Sequence, residues 1–280
     1  MKKTLCLLLL ASSMLSYAKG ADILTDYYSQ LHHFGLGEGN RLQDTISGNT
    51  LTSMFGGSVV SVNNGAPGST SASQGHGYWG DLGLGTVGST TGSLANQSFA
   101  LSLWVNPTYK NDVQDFLFCN SQKTNGTLQL EMSSTGSVAL NLFGVKSIAS
   151  ATINEGEWSN IAVVYDASIN LISLCINGIQ IGGQSISDNA ESLLFGDQMI
   201  LGAYSNGGRP IDSNTVLDEL SIYKLDQFQN VDGQTINAQT IANSLYTTGS
   251  LASAYAIPEP STITLSFLGL GALLLRRRRV

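Results

Sequence analysis

The chain has 280 residues, 42% hydrophobic and 12% charged, with 13 basic against 20 acidic groups and a formal net charge of −7. That length is enough for one large all-β domain or two small ones. An acidic surface repels phosphate backbones, which excludes nucleic acid as a partner and leaves neutral glycans, basic proteins and calcium compatible.

At the N-terminus, Lys2 and Lys3 form a short positive region, Leu5 to Ala11 an apolar one, and Ser16-Tyr17-Ala18 offers small residues where a signal peptidase reads. Residues 1–18 are therefore expected to be a signal peptide cleaved after Ala18. Cys6 lies too early in this segment for a lipoprotein cleavage site. The working domain is read as residues 19–249. Its opening strand contains Leu31-His32-His33-Phe34, and adjacent histidines on a strand point to opposite faces, so they do not readily share a metal. Asn63 to Gln97 is dense in Gly, Ser and Thr and reads as long surface loops with one short strand around Tyr78 to Leu84.

Strand signals then recur. Phe99, Leu101, Leu103 and Val105 alternate up to Asn106-Pro107; Asp115 to Cys119 is the next strand, and Leu128-Leu130-Met132 and Val138-Leu140-Leu142 are a pair. Trp158 to Tyr165, Leu171 to Ile176 and Ile179 to Gly182 form a meander. Its Asn177-Gly178 turn is a strong hairpin signal, because both central residues of a type I′ turn need positive φ. Ile200 to Ala203 and Val216 to Tyr223 follow. Thr240 to Tyr246 is predicted to make two helical turns with Ile241 and Leu245 on one face, and residues 250–257 a small-residue tether. Many short strands, 31 glycines and few helical patterns predict an all-β sandwich of two antiparallel sheets. Cys119 and Cys175 lie in apolar strand-like runs, which suits one disulfide in an oxidising compartment or two buried thiols equally.

Residues 258–280 are a separate unit. Pro258-Glu259-Pro260 precedes an uncharged apolar run, residues 261–275, and a basic cluster, Arg276 to Arg279. As a helix the run is slightly shorter than the ~20 residues of an ordinary span. The arginines would stay cytoplasmic by the positive-inside rule, so everything before Pro258 would face outward. This tripartite tail resembles the PEP-CTERM sorting signal of Gram-negative bacteria and their relatives. The resemblance implies an exosortase that cuts near Pro258, Glu259 and Pro260 and delivers the protein to the envelope or an exopolysaccharide matrix. An ordinary C-terminal membrane anchor is the alternative. Setting aside Lys2, Lys3, Arg276 to Arg279 and Glu259 leaves 7 basic and 19 acidic groups outside, a net charge of −12.

The domain also carries a resemblance. Ser98 to Pro107 (SFALSLWVNP), Glu157 to Asp166 (EWSNIAVVYD), Leu174 to Gly178 (LCING), Ile200 to Ala203 (ILGA) and Val216 to Tyr223 (VLDELSIY) stand in the order found in laminin-G-like, concanavalin A-like jelly rolls. Looser likenesses, the Asp44 to Gly48 turn and the ending from Ile241 to Gly249, extend it to roughly Asp26 to Gly249. The resemblance implies a concanavalin A-like jelly roll flanked by terminal signal and membrane-anchor helices. The fold alone does not choose among glycan binders, adhesion modules and enzymes.

Catalysis is not expected. Retaining glycosidases need two carboxyls about 5–5.5 Å apart, and the jelly-roll glucanases that supply them as Glu-x-Asp-x-x-Glu have no counterpart string here. Glu155-Gly156-Glu157 has part of the spacing but sits in a turn. On strand alternation Asp218 shares the apolar face of Val216, Leu220 and Ile222, so it must be hydrogen-bonded, paired or metal-bound. It either caps backbone N–H groups of a neighbouring loop or ligates a structural calcium with Asp44 and Glu38. For ligand contacts the candidates are Tyr78 and Trp79 in a glycine-rich stretch, and Tyr204, Asn206 and Arg209 in the loop before Val216, since sugar rings stack on aromatics and Asn or Arg binds hydroxyls. Trp104 and Trp158 read as packing residues. The function expected is an exported, envelope-sorted, non-catalytic binding or adhesion module for a glycan or surface protein. The alternatives are a structural matrix component without a pocket and a glycoside hydrolase.

Overall fold

The structure, a computed structural model, describes residues 28–37, 42–53, 60–74, 78–81, 97–110, 115–120, 127–144, 146–186, 198–204, 208–225, 230–231 and 234–247. The expected signal peptide, tether, apolar run and arginine cluster lie outside these. Among the described residues no helix is long and apolar enough to cross a membrane.

The strands are β1 (Tyr28–Phe34), β2 (Thr52–Ser53), β3 (Val60–Val62), β4 (Ala72–Gln74), β5 (Tyr78–Asp81), β6 (Ser98–Asn106), β7 (Asp115–Asn120), β8 (Leu128–Met132), β9 (Ser137–Leu142), β10 (Lys146–Thr152), β11 (Ser159–Asp166), β12 (Leu171–Ile176), β13 (Ile179–Ser185), β14 (Gln198–Leu201), β15 (Val216–Leu225), β16 (Asn230–Val231) and β17 (Gln234–Thr235), and the helix α1 is Ala238–Thr247. One sheet has eight strands in the order β13-β12-β11-β6-β15-β4-β3, with β1 also pairing β15; the other has seven, β10-β9-β8-β7-β14-β5-β2; β16 and β17 pair alone. All named pairings are antiparallel. The fold is the two-sheet jelly roll expected from the strand pattern.

Alternation along each strand builds the core between the sheets. Leu101, Leu103 and Val105 of β6, Ile161 and Val163 of β11, and Ile172 and Leu174 of β12 face Leu128, Leu130 and Met132 of β8 and Val138, Leu140 and Leu142 of β9. The opposite face of the eight-stranded sheet is buried as well. Small residues there, Ala100 and Ala162, leave room for α1, which packs Ile241, Ala242 and Leu245 against them with Val164, Cys175 and Tyr223. Asn237 caps the helix, its Oδ1 accepting the Thr240 N–H at 2.9 Å. Burying Ile241 and Leu245 contributes about 1.5–3 kcal/mol each, which holds in place a helix too short to persist alone. Cys119 and Cys175 are buried on different sheets and form no disulfide with each other, and burial pushes the Cys175 thiol up to about 12.

Four features differ from the sequence reading. Trp158 precedes its strand, which begins at Ser159. β10 went unread because Lys-Ser-Ile-Ala-Ser-Ala-Thr carries a single large aliphatic. The segment read as loops from Asn63 contains β4, whose Ala72 and Ser73 are buried against β15. Finally, β15 is bulged between Asp218 and Ser221, with Glu219 at φ 51°. The extra residue breaks alternation. Leu217, Leu220 and Ile222 face the core, whereas Asp218 pairs across from Trp104, on the other face. The expectation that Asp218 shares the face of Leu220 and Ile222 is therefore corrected.

Candidate functional site

In β8 the alternation Leu-Gln-Leu-Glu-Met sends Leu128, Leu130 and Met132 inward and leaves Gln129 and Glu131 on the outward face of the seven-stranded sheet. Neighbouring β9 adds Asn141 to that face. These outward positions are not washed by solvent: Gln129 is 4% and Glu131 7% exposed. Polar groups so covered need partners, and they have them. Asn141 Nδ2 donates to Glu131 Oε1 at 2.9 Å, and Arg209 reaches over the sheet to place a guanidinium nitrogen 3.4 Å from Glu131 Oε2. The Gln129 side chain hydrogen-bonds the half-buried Tyr204 hydroxyl, and burial pushes that phenol upward. Tyr204 and Arg209 stand at the ends of one loop, pinned where Tyr204 N donates to Gly208 O at 2.8 Å, and Arg209 takes φ 49°.

Beside this cluster lies an open depression of about 390 Å³ lined by Gln129, Glu131, Asn141, Leu142, Phe143, Gly144 and Ser147. Phe143, 36% exposed, stands at its rim. Amide, carboxylate and guanidinium groups held rigidly beside exposed aromatic carbon suit a polyhydroxylated ligand. Glu131 is the one carboxylate among the described residues that line it.

Of the residues singled out from sequence, Tyr204 and Arg209 come together here. Asn206, between them, lies outside the described residues. Tyr78 is a correction: it is 3% exposed within the inter-sheet core, its hydroxyl donating to Gln74 O, so it presents no ligand surface. Trp79 pairs in register with Thr52 and Ile200, and its side chain lies outside the description. Gln129, Glu131, Asn141 and Phe143 were missed. Their signal was present as the polar half of the alternation in β8 and β9, whose apolar half alone was read.

Of the proposed calcium ligands, Asp218 and Asp44 both spend their oxygens on protein donors. Asp218 Oδ2 accepts the Ala66 N–H at 2.9 Å and Oδ1 its neighbour's, Glu219, at 3.0 Å. It therefore caps backbone donors of a neighbouring loop, and burial drives its carboxyl up to about 7. Asp44 takes the His33 and Ile46 N–H groups on Oδ1, both at 2.9 Å, and His32 Nδ1 at 2.6 Å and the Ser47 hydroxyl on Oδ2. Burial acts to raise Asp44, but these four donors outweigh it and hold the carboxyl well below the usual range. His33 turns the other way, to Thr45 through Nδ1 at 2.9 Å and to Glu219 through Nε2 at 2.6 Å. Glu38 and the sorting residues Pro258, Glu259 and Pro260 lie outside the described residues. Among those described, no three His, Cys, Asp or Glu side chains gather around a metal-sized space. Carboxylates already filled by N–H donors do not fit a calcium site.

Residues 83–226, over half of the chain, match the family model described as the concanavalin A-like lectin/glucanases superfamily. The chain belongs to that superfamily. No curated protein matches the sequence. Among solved structures, domain 4 of AbnA, an extracellular GH43 arabinanase from Geobacillus stearothermophilus solved with arabinotriose, is 16% identical at a TM-score of 0.54, over 79% of this chain and 100% of that one. The binding domain of Paraclostridial Mosquitocidal Protein 1 gives 14% and 0.54, over 78% of this chain and 52% of that one. The botulinum neurotoxin serotype G binding domain gives 14% and 0.53, over 78% and 51%. This superfamily member thus spans about half of each toxin domain it resembles. At such identities the likeness is one of fold.

Proposed function

We propose that this superfamily member is an exported, non-catalytic binding module that recognises glycan on the outward face of its seven-stranded sheet. The observation that carries the reading is the cluster of Glu131, Asn141 and Arg209, a buried carboxylate held by two partly exposed donors beside the depression. The Arg209 charge is met by Glu131, so the face offers hydrogen-bonding capacity without excess positive charge. In a chain of net −7, that favours neutral saccharides over acidic ones. The arabinanase domain solved with arabinotriose lends the same class of ligand as precedent. Among the described residues a single carboxylate lines the depression, which supports binding over glycoside hydrolysis, a reaction that takes two.

Export and sorting complete the reading. A signal peptide over 1–18 and a PEP-CTERM tail from Pro258 would place the domain outside the inner membrane, held by residues 261–275 until an exosortase releases it to the envelope or matrix. Mass spectrometry of the mature C-terminus tests this part: loss of Arg276 to Arg279 is expected, and their retention would leave a plain anchor. For binding, the test is a glycan-array screen of the purified protein with calcium and with EDTA. Saturable binding to neutral glycans that survives EDTA is expected. Silence from a folded protein would transfer the case to a structural matrix role.

A further inference from the structure

The flank formed by α1 and the β12–β13 hairpin is without charge: no Asp, Glu, Lys or Arg occurs from Ala167 to Ser187 or from Gly233 to Pro258. Asp166, the last residue of β11, stands at its border. Alternation puts it on the helix side of the eight-stranded sheet, two residues beyond Val164. Across β12, Asp166 pairs with Leu171 and Val164 with Ser173. These four line a cavity of about 130 Å³ that Gln180 of β13 and Ala238 of α1 complete. The space is open because α1 begins on a small residue. Ile241 and Leu245 fill the room over Ala100 and Ala162, whereas Ala238 leaves the end of β11 uncovered.

Asp166 is 9% exposed, yet only half of its carboxylate is used. Oδ1 accepts the Ser168 N–H at 2.9 Å and the Ser168 hydroxyl at 2.6 Å, which fixes the group, and among the described residues nothing donates to Oδ2. Nor is Asp166 spent on the helix start. Asn237, also at the cavity, serves that end, its Oδ1 taking the Thr240 N–H at 2.9 Å and hydroxyl at 3.1 Å. A charge so well covered, with one oxygen uncommitted, calls for a partner. Among the described residues no cationic side chain lines the cavity.

The lining narrows the chemistry of that partner. Anions are repelled. A guanidinium docks on both oxygens of a carboxylate, and here one is occupied. Sugar rings and quaternary ammonium groups take aromatic faces, and no described lining residue is aromatic. Calcium takes six to eight oxygens, which walls of Val164, Ile169, Leu171 and Ala238 do not supply. What fits is a compact cation with three donors on an apolar stem. We propose that the cavity receives a primary alkylammonium group, its nitrogen on Asp166 Oδ2 and its methylenes against the apolar walls, carried by a free amine or by a lysine side chain. The volume, that of about four water molecules, suits such a group with a short stem. Ser173 and Gln180, bonded to each other at 3.1 Å, supply further oxygens. The acidic chain, of net charge −7, draws cations toward it. This site is on the sheet opposite the polar depression and does not depend on it.

The test is titration of the ¹⁵N-labelled full-length protein at neutral pH, read at the backbone amides of Ser168 and Ala238. The probes are n-butylammonium chloride, Nα-acetyl-lysine methylamide and the uncharged norleucine counterpart of the latter. Saturable shifts with the two ammonium compounds and none with the norleucine compound are expected. Asp166→Asn keeps an acceptor for Ser168 but loses the charge, and affinity at least tenfold weaker is expected. Ala238→Leu keeps the carboxylate but fills the cavity, and a comparable loss is expected, with circular dichroism showing that each variant is folded. Tighter binding of the lysine compound would support the site as one for a protein partner, and tighter binding of butylammonium as one for a free amine. No saturable shift, an equal response to the norleucine compound, or wild-type affinity in both folded variants would overturn the site.

Discussion

Asp218 and Asp44 have opposite titration behaviour, which makes them the sharpest tests at the scale of single residues. Burial raises Asp218 from 3.8 to about 7. The folded state then binds the proton more tightly than the unfolded chain, so its contribution is full below about pH 4 and is lost as pH rises through 7. Three units correspond to about 4 kcal/mol, and Asp218→Asn is expected to flatten the decline in urea-derived stability between pH 4 and 7. Asp44 is depressed, so its contribution is present above the unfolded value and lost as pH falls below it. Asp44→Ala leaves the His33 and Ile46 N–H groups and the His32 ring unpaired. At 1–3 kcal/mol for each buried donor, a loss of about 3 kcal/mol or more in chemical denaturation is expected. Because both carboxylates serve N–H donors, EDTA is expected to leave the melting temperature unchanged; a fall of several degrees would restore a calcium site. The role of Asp218 as a backbone cap was legible as one of two options. Its face was not, since the bulge at Glu219 falls where the edge of β15 passes from pairing β4 to pairing β1, which local alternation does not encode.

At the scale of elements, the long strands with clean alternation were readable because each faces the core on one side and repeats its pattern over several residues. β6, β11 and β12 are of this kind. The helix was readable from Ile241 and Leu245, one turn apart, and both are buried against the eight-stranded sheet. Leu245→Ala is expected to cost about 2–4 kcal/mol and to raise hydrogen exchange across α1 and the 177–180 turn before the rest of the domain opens. Gly178→Ala tests that same contact from the sheet side, because its φ is 77° and its Cβ would press on Tyr246 and Asn243. A loss of about 1–2 kcal/mol is expected; an unchanged melting curve would show that the helix end yields freely. The outward residues of β8 and β9 were not legible as a site. Gln129, Glu131 and Asn141 look like ordinary solvated positions until Tyr204 and Arg209 arrive from a distant loop and cover them.

For the molecule as a whole, two sheets, a covering helix and an uncharged flank give the domain distinct sides. One outward face carries the polar cluster and depression, and the other is sealed by α1. The proposed function places recognition on a sheet face and not on the rim loops expected from the sequence. Rigid polar groups lose little freedom on binding, so removing one of them is expected to cost affinity without disturbing the fold. The decisive measurement is titration of the array-selected saccharide into the wild-type protein and into Glu131→Gln and Arg209→Ala, with circular dichroism confirming that each is folded. Affinity at least tenfold weaker is expected in both variants. Wild-type affinity in both folded variants would contradict it and move the ligand to another face.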